Sequence, residues 1–98
     1  MKYFLHIKEE ANIDFIEAYE YYESKSIGLG ERFIEQIDIF LELILQNPFL
    51  FPCKQSPCRE AFIIDFPYLI VYEVEEKSIV VYAFFNTWKN PKGKPNTK

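Results

Sequence analysis

The chain has 98 residues, 49% of them hydrophobic and 27% charged, with only three glycines and six prolines. This composition excludes a disordered, collagenous or low-complexity polypeptide, and the length excludes a multi-domain enzyme, leaving one domain around one core. The formal charge of −4 conceals a division. Residues 1–52 carry four Lys/Arg against ten Asp/Glu, and residues 53–98 carry seven against five. The aromatic share of 18% assigns much of the burial to large rings. No apolar run approaches the roughly 20 residues that span a bilayer. Met1–Lys8 has neither the apolar stretch nor the cleavage site of a secretory signal, so no membrane association and a cytoplasmic location are expected.

The first element is a strand, Tyr3–Ile7, in which Tyr3, Leu5 and Ile7 alternate with Phe4 and His6. The period then changes. Ala11, Phe15, Ala18, Tyr19 and Tyr22 recur every three or four residues, which predicts an amphipathic helix from Glu9 to about Lys25. Ser26–Gly30 supplies a stop and a restart, because glycine tolerates the left-handed backbone of a tight connection. A second helix follows from about Leu29 to Gln46, with Phe33, Ile37, Phe40, Leu41, Ile44 and Leu45 as its apolar stripe. Glu31, Glu35, Asp38 and Glu42 fall on its wet side. Asn47-Pro48 ends this helix, since proline disfavours helical geometry in the residue before it.

After a proline-bearing loop come three strands: Arg59–Asp65, Tyr68–Glu75 and Ser78 to about Asn86. Their short gaps require antiparallel hairpins. In the middle strand Tyr68, Ile70, Tyr72 and Val74 alternate with Leu69, Val71 and Glu73. Unbroken alternation in the last strand sets Ile79, Val81, Ala83 and Phe85 against Val80, Tyr82 and Phe84. Both of its faces are apolar, which places it centrally in the sheet. The order β-α-α-β-β-β defines an α+β fold, a helical hairpin packed on a mainly antiparallel sheet.

The chemistry on offer is narrow. One histidine, His6, and two cysteines five residues apart, Cys53 and Cys58, do not form the spaced ligand set of a zinc site, so no metal is expected. Cys53 and Cys58 read as reduced thiols in a chain without a secretory signal. There is no nucleophile elbow, no Ser/His/Asp set and no phosphate-cradling glycine loop, so no cofactor is expected. His6, on the opening strand, reads as structural, and the helical carboxylates read as solvated faces. What remains is a basic and aromatic group bordering the sheet: Lys54, Arg59, Asn86, Trp88 and Lys89. Basic side chains fix phosphates and rings stack on bases, and these five are candidate target- or phosphate-binding residues. Lys89, Lys92, Lys94 and Lys98 fall in the last ten residues with no acid among them, and residues 92–98 read as a lysine-rich tail on a domain spanning residues 1–91.

Against this background the chain resembles toxins of the RelE/ParE superfamily, closest to the ParE branch of type II toxin-antitoxin systems. The resemblance rests on Glu17-Ala18 followed by Tyr21-Tyr22-Glu23, on Ser26–Gly30 with Glu31-Arg32-Phe33, and on Asn47-Pro48 with Phe51-Pro52. Arg59, Phe66-Pro67-Tyr68 with Ile70 and Tyr72, and Asn90-Pro91 continue it. It implies a bacterial protein, serving plasmid stabilisation, that a cognate antitoxin neutralises in a hetero-oligomer. A ParE-like member inhibits DNA gyrase without being a nuclease. A RelE-like member cuts mRNA on the ribosome, and a third alternative is a non-toxic relative that acts only through its antitoxin complex. Arg59 matches the arginine that both branches keep on the second strand. Where the family reads His-x-x-Arg-x-Pro, this chain has Asn86-Thr87-Trp88-Lys89-Asn90-Pro91. Asparagine exchanges no proton near neutral pH and lysine lacks the guanidinium fork, which weakens the nuclease reading. The antitoxin is expected to bring a flexible acidic segment with an amphipathic helix or strand, for which Phe49, Leu50 and Phe51 are candidate contacts.

Overall fold

A computed structural model describes residues 3–88. Its elements are β1 (Phe4–Ile7), α1 (Glu9–Lys25), α2 (Leu29–Gln46), β2 (Cys58–Phe62), β3 (Tyr68–Val74) and β4 (Ser78–Asn86). The order matches the expectation from periodicity. β2 is shorter than expected, ending at Phe62. Past it the chain must reverse, and Asp65 takes a left-handed backbone with φ of 75°. The four strands form one sheet in the order β1-β4-β3-β2. β2-β3 and β3-β4 are antiparallel, while β1 runs parallel to β4 over Ser78–Val81. β4 is therefore central, as its two apolar faces require.

The helical hairpin covers one face of the sheet. α2 contributes Phe33, Ile37, Phe40 and Ile44, all buried, with Leu41 and Leu45 packed beside them. α1 contributes the small buried residues Ala11 and Ala18 together with half-buried Phe15 and Tyr22. Phe33 is the hub. Its ring centroid lies 5.2 Å from Tyr68, 5.3 Å from Phe66, 5.4 Å from Tyr22 and 5.9 Å from Phe15, within the range where aromatic pairs attract beyond their area burial.

The hairpin connection is fastened by charge. Both carboxylate oxygens of Glu23 accept backbone bonds from the start of α2, Gly28 N–H at 3.0 Å and Gly30 N–H at 2.9 Å. An anion at a helix N-terminus satisfies orphan donors and faces the positive end of the dipole. Gly28 has φ of 89°, which favours glycine. Gly30 is required for a different reason: a Cβ there would stand 2.8 Å from the Tyr19 ring.

β4 departs from strict alternation. Val71 faces Ala83 but Tyr72 faces Val81, so Tyr82 is an extra residue, a β-bulge. The phase flips there. Ile79, Val81 and Phe84 join the helix-side core, while Ala83 and Phe85 join Leu69, Val71 and Cys58 in a second cluster. The expected grouping of Ala83 and Phe85 with Ile79 and Val81 is thus corrected, because a bulge costs the strand one residue of phase. Tyr82 donates its hydroxyl to Glu73 Oε1 at 2.8 Å.

Candidate functional site

The candidate residues separate into two places. The first is the loop after α2, at the β2 end of the sheet. Here Arg59 projects from β2 and donates from its guanidinium to the Phe51 carbonyl at 2.7 Å, while the same guanidinium lies over the Phe49 ring at 5.0 Å. Tyr72, the next strand's partner of Arg59, donates its buried hydroxyl to the Pro48 carbonyl at 2.7 Å. Glu60 N–H reaches the Pro52 carbonyl at 3.1 Å. Side chains and backbone of β2 and β3 thus hold residues 48–52 like a clamp. The burial of Tyr72 pushes its phenol up to about 12, so it stays a neutral donor at any physiological pH.

This geometry merges two sets that the sequence kept apart. Arg59, a target-contact candidate, is hydrogen-bonded to one of the three antitoxin-contact candidates, Phe51, and lies over the ring of a second, Phe49. Phe51 is half-buried and packs against Phe40 with centroids 6.2 Å apart. Phe49 and Leu50 each remain 58% exposed. Lys54 is exposed in the same loop and Cys53 beside it is exposed, whereas Cys58 is buried in the second cluster.

The second place is the far end of β3 and β4. Tyr68 pairs with Asn86, and Tyr72 pairs with Arg59. Four residues of β3 therefore separate the two candidate groups, about 13 Å along the strand. Asn86 and Trp88 do not share a site with Arg59. Asn86 hydrogen-bonds the Tyr68 hydroxyl and accepts the Trp88 N–H at 2.9 Å, while the Trp88 ring is exposed. Lys89 lies outside the described residues, as do residues 92–98.

Asn86 and Trp88 instead line an open groove of about 630 Å³ between α1 and the end of the sheet. Its helical wall carries Glu10, Asp14 and Glu17, and its aromatic surface includes Tyr21, Tyr22 and Tyr68. The Asp14 carboxyl is raised above the usual carboxylate range, mainly by burial and further by the charges of Glu17 and Glu10, against the opposing pull of the Phe84 backbone N–H. Burial also raises Tyr68, and Tyr22 to about 12. The spacing of Glu10, Asp14 and Glu17 places them on one face of α1, a signal present in the sequence. Glu10 and Glu17 are exposed, as expected of a solvated face, while Asp14 is half-buried beside the sheet end.

Among the described residues no group of His, Cys, Asp and Glu is arranged to hold a metal ion, and no helix is long and apolar enough to cross a membrane. His6 is exposed on β1 opposite Val80, on the edge strand and away from both candidate places.

Two α-helices packed as a hairpin on a four-stranded mixed sheet define a small α+β protein. Residues 5–90 match the family model of the ParE toxin of type II toxin-antitoxin systems, parDE, and the chain belongs to that family. Among solved structures, a chain described as the chromosomal ParDE toxin-antitoxin system from P. aeruginosa superposes with a TM-score of 0.73 at 17% identity. The match covers 87% of this chain and 96% of that one. At that identity the superposition speaks for the fold. No curated relative matches the chain.

Proposed function

We propose that this ParE-family toxin acts by binding a protein target, DNA gyrase, and that a cognate antitoxin neutralises it in the bacterial cytoplasm. The observation that supports this over mRNA cleavage is the use made of Arg59. Its guanidinium is committed to the Phe51 carbonyl and the Phe49 ring, so it secures a loop instead of presenting a fork to phosphate. Asn86 and Trp88 lie at the other end of the sheet against three carboxylates, a setting that repels a phosphate backbone. In this reading the clamped loop offers Phe49 and Leu50 to a partner as a preformed apolar patch, which lowers the ordering cost of binding.

The test is induced expression in bacteria with and without the neighbouring reading frame, scoring growth, gyrase-dependent supercoiling and mRNA integrity together. Arrest with lost supercoiling and intact mRNA is expected, with growth restored by co-expression. Arrest with cut mRNA would replace this reading by the nuclease, and absence of arrest would replace it by a non-toxic member acting through complex formation alone.

A further inference from the structure

The groove beside β4 has a cause in the topology. β1 pairs with β4 only from Ser78 to Val81, and Lys8 N–H makes the last contact of that seam, to the Val81 carbonyl at 2.9 Å. The chain then enters α1. Past Val81 the outer edge of β4 has no strand alongside it among the described residues, and α1 takes over. Phe15 meets the Phe84 ring at 5.6 Å, and Tyr22 meets Tyr68 at 6.2 Å. The space left between helix and strand is the 630 Å³ groove.

Its two walls differ in chemistry. Glu10, Asp14 and Glu17 line one side without a lysine or arginine among the groove's lining residues. Tyr21 continues that helical wall, its ring already under the Lys25 ammonium at 5.1 Å, and the opposite side is formed by Tyr68 of β3 and the exposed ring of Trp88. Carboxylates opposite aromatic faces favour a cation with an apolar stem: the charge pairs with the acids, and the ring quadrupoles attract the same charge. A phosphate or an acidic peptide meets the repulsion of these three carboxylates, which Lys8 over the Tyr82 ring and Lys25 over the Tyr21 ring only partly offset. A small metal ion would find carboxylates on one wall only.

We infer that this groove is a docking site for a basic segment of a partner protein, one that lays arginine or lysine side chains between the acidic face of α1 and the Tyr68–Trp88 surface. The partner of this site is thus opposite in charge to the acidic segment expected for the antitoxin contact at Phe49 and Leu50. The inference does not depend on which cellular target the toxin has.

Trp88 is the chain's single tryptophan and stands at the groove, so its emission reports occupancy directly. The full-length protein is titrated with a short labelled peptide alternating arginine and leucine, with a glutamate-for-arginine peptide and a single-stranded oligonucleotide in parallel. Binding is read by peptide anisotropy and by Trp88 fluorescence. The arginine peptide alone is expected to bind and to shift Trp88 emission. Glu10→Lys and Glu17→Lys are each expected to weaken it about tenfold or more. Glu31→Lys and Glu42→Lys, the same charge change on exposed positions of α2, are expected to leave affinity within about twofold. Equal losses in both pairs would mean attraction to the protein's net charge only, and would overturn the inference. So would a silent Trp88, or binding of the oligonucleotide or the acidic peptide in place of the arginine peptide.

Discussion

The Arg59 guanidinium lies 5.0 Å from the centre of the Phe49 ring and donates to the carbonyl two residues further on, Phe51, at 2.7 Å. One side chain of the second strand thereby fixes the loop that follows the second helix. A hydrogen bond from a charged donor is worth about 1.5–3 kcal/mol, and a partly exposed cation–π contact adds about 0.5–1 kcal/mol. Arg59→Ala is accordingly expected to lower unfolding stability by about 2 kcal/mol, measured by urea denaturation, with Arg59→Lys intermediate. An unchanged midpoint in Arg59→Ala would return the guanidinium to the role of a target contact.

Tyr72→Phe removes the donor to the Pro48 carbonyl while leaving the ring in place. Both residues are buried, so the carbonyl is left without that partner and without water. A loss of about 1–2 kcal/mol is expected, again by urea denaturation. Because the Tyr72 phenol is raised to about 12, this loss should be the same at pH 6 and pH 9.

The start of the second helix depends on Glu23. Glu23→Ala deletes acceptors for two backbone N–H groups and an anion at the helix dipole, and should cost about 1–2 kcal/mol. Gly30→Ala is expected to be at least as harmful, since its Cβ would collide with the Tyr19 ring and with Glu23 Oε1 at 2.9 Å. Thermal melts of both variants, with Gly28→Ala for comparison, separate collision at Gly30 from backbone strain at Gly28.

Asp14 gives a pH signature. Its folded-state carboxyl is raised above 3.8, chiefly by burial, so the folded state holds its proton to higher pH than the unfolded chain does. Stability from this group is full below the unfolded value and is lost as pH rises through the folded one. Asp14→Asn should therefore melt higher than the parent at pH 7. The difference should shrink as pH falls below 3.8. A parent protein that gains stability from Asp14 ionisation would show the opposite order at pH 7.

Phe49→Glu tests the antitoxin surface. Phe49 is exposed and the new carboxylate would face Arg59, so the fold should survive. Antitoxin affinity should fall about tenfold or more if the ring is an interface anchor. Unchanged affinity by calorimetry would remove Phe49 from the interface.

Much of the architecture was legible in the chain. The 3.6-residue period of α1 and α2, the Gly28/Gly30 punctuation and Pro48 are local signals. Burial of Phe33, Ile37, Phe40 and Ile44 follows from the apolar stripe, and the central position of β4 from its two apolar faces. These features hold because a segment's hydrophobic period and its turn residues specify its conformation whatever surrounds it.

Three things required the assembled fold. The bulge at Tyr82 depends on pairing with β3, and it moved Ala83 and Phe85 to the other side of the sheet. The role of Arg59 depends on where the preceding loop comes to rest, and packing gave its guanidinium the Phe51 carbonyl and the Phe49 ring. The acidic face of α1 became the wall of a groove only because β1 stops at Ile7 and leaves the end of β4 beside Glu10, Asp14 and Glu17. Strand register and the meeting of distant segments are set by non-local packing, which no single stretch of sequence encodes. The residues and their periods therefore determined the elements, and tertiary contact decided which of their side chains were bound inward and which were left to meet a partner.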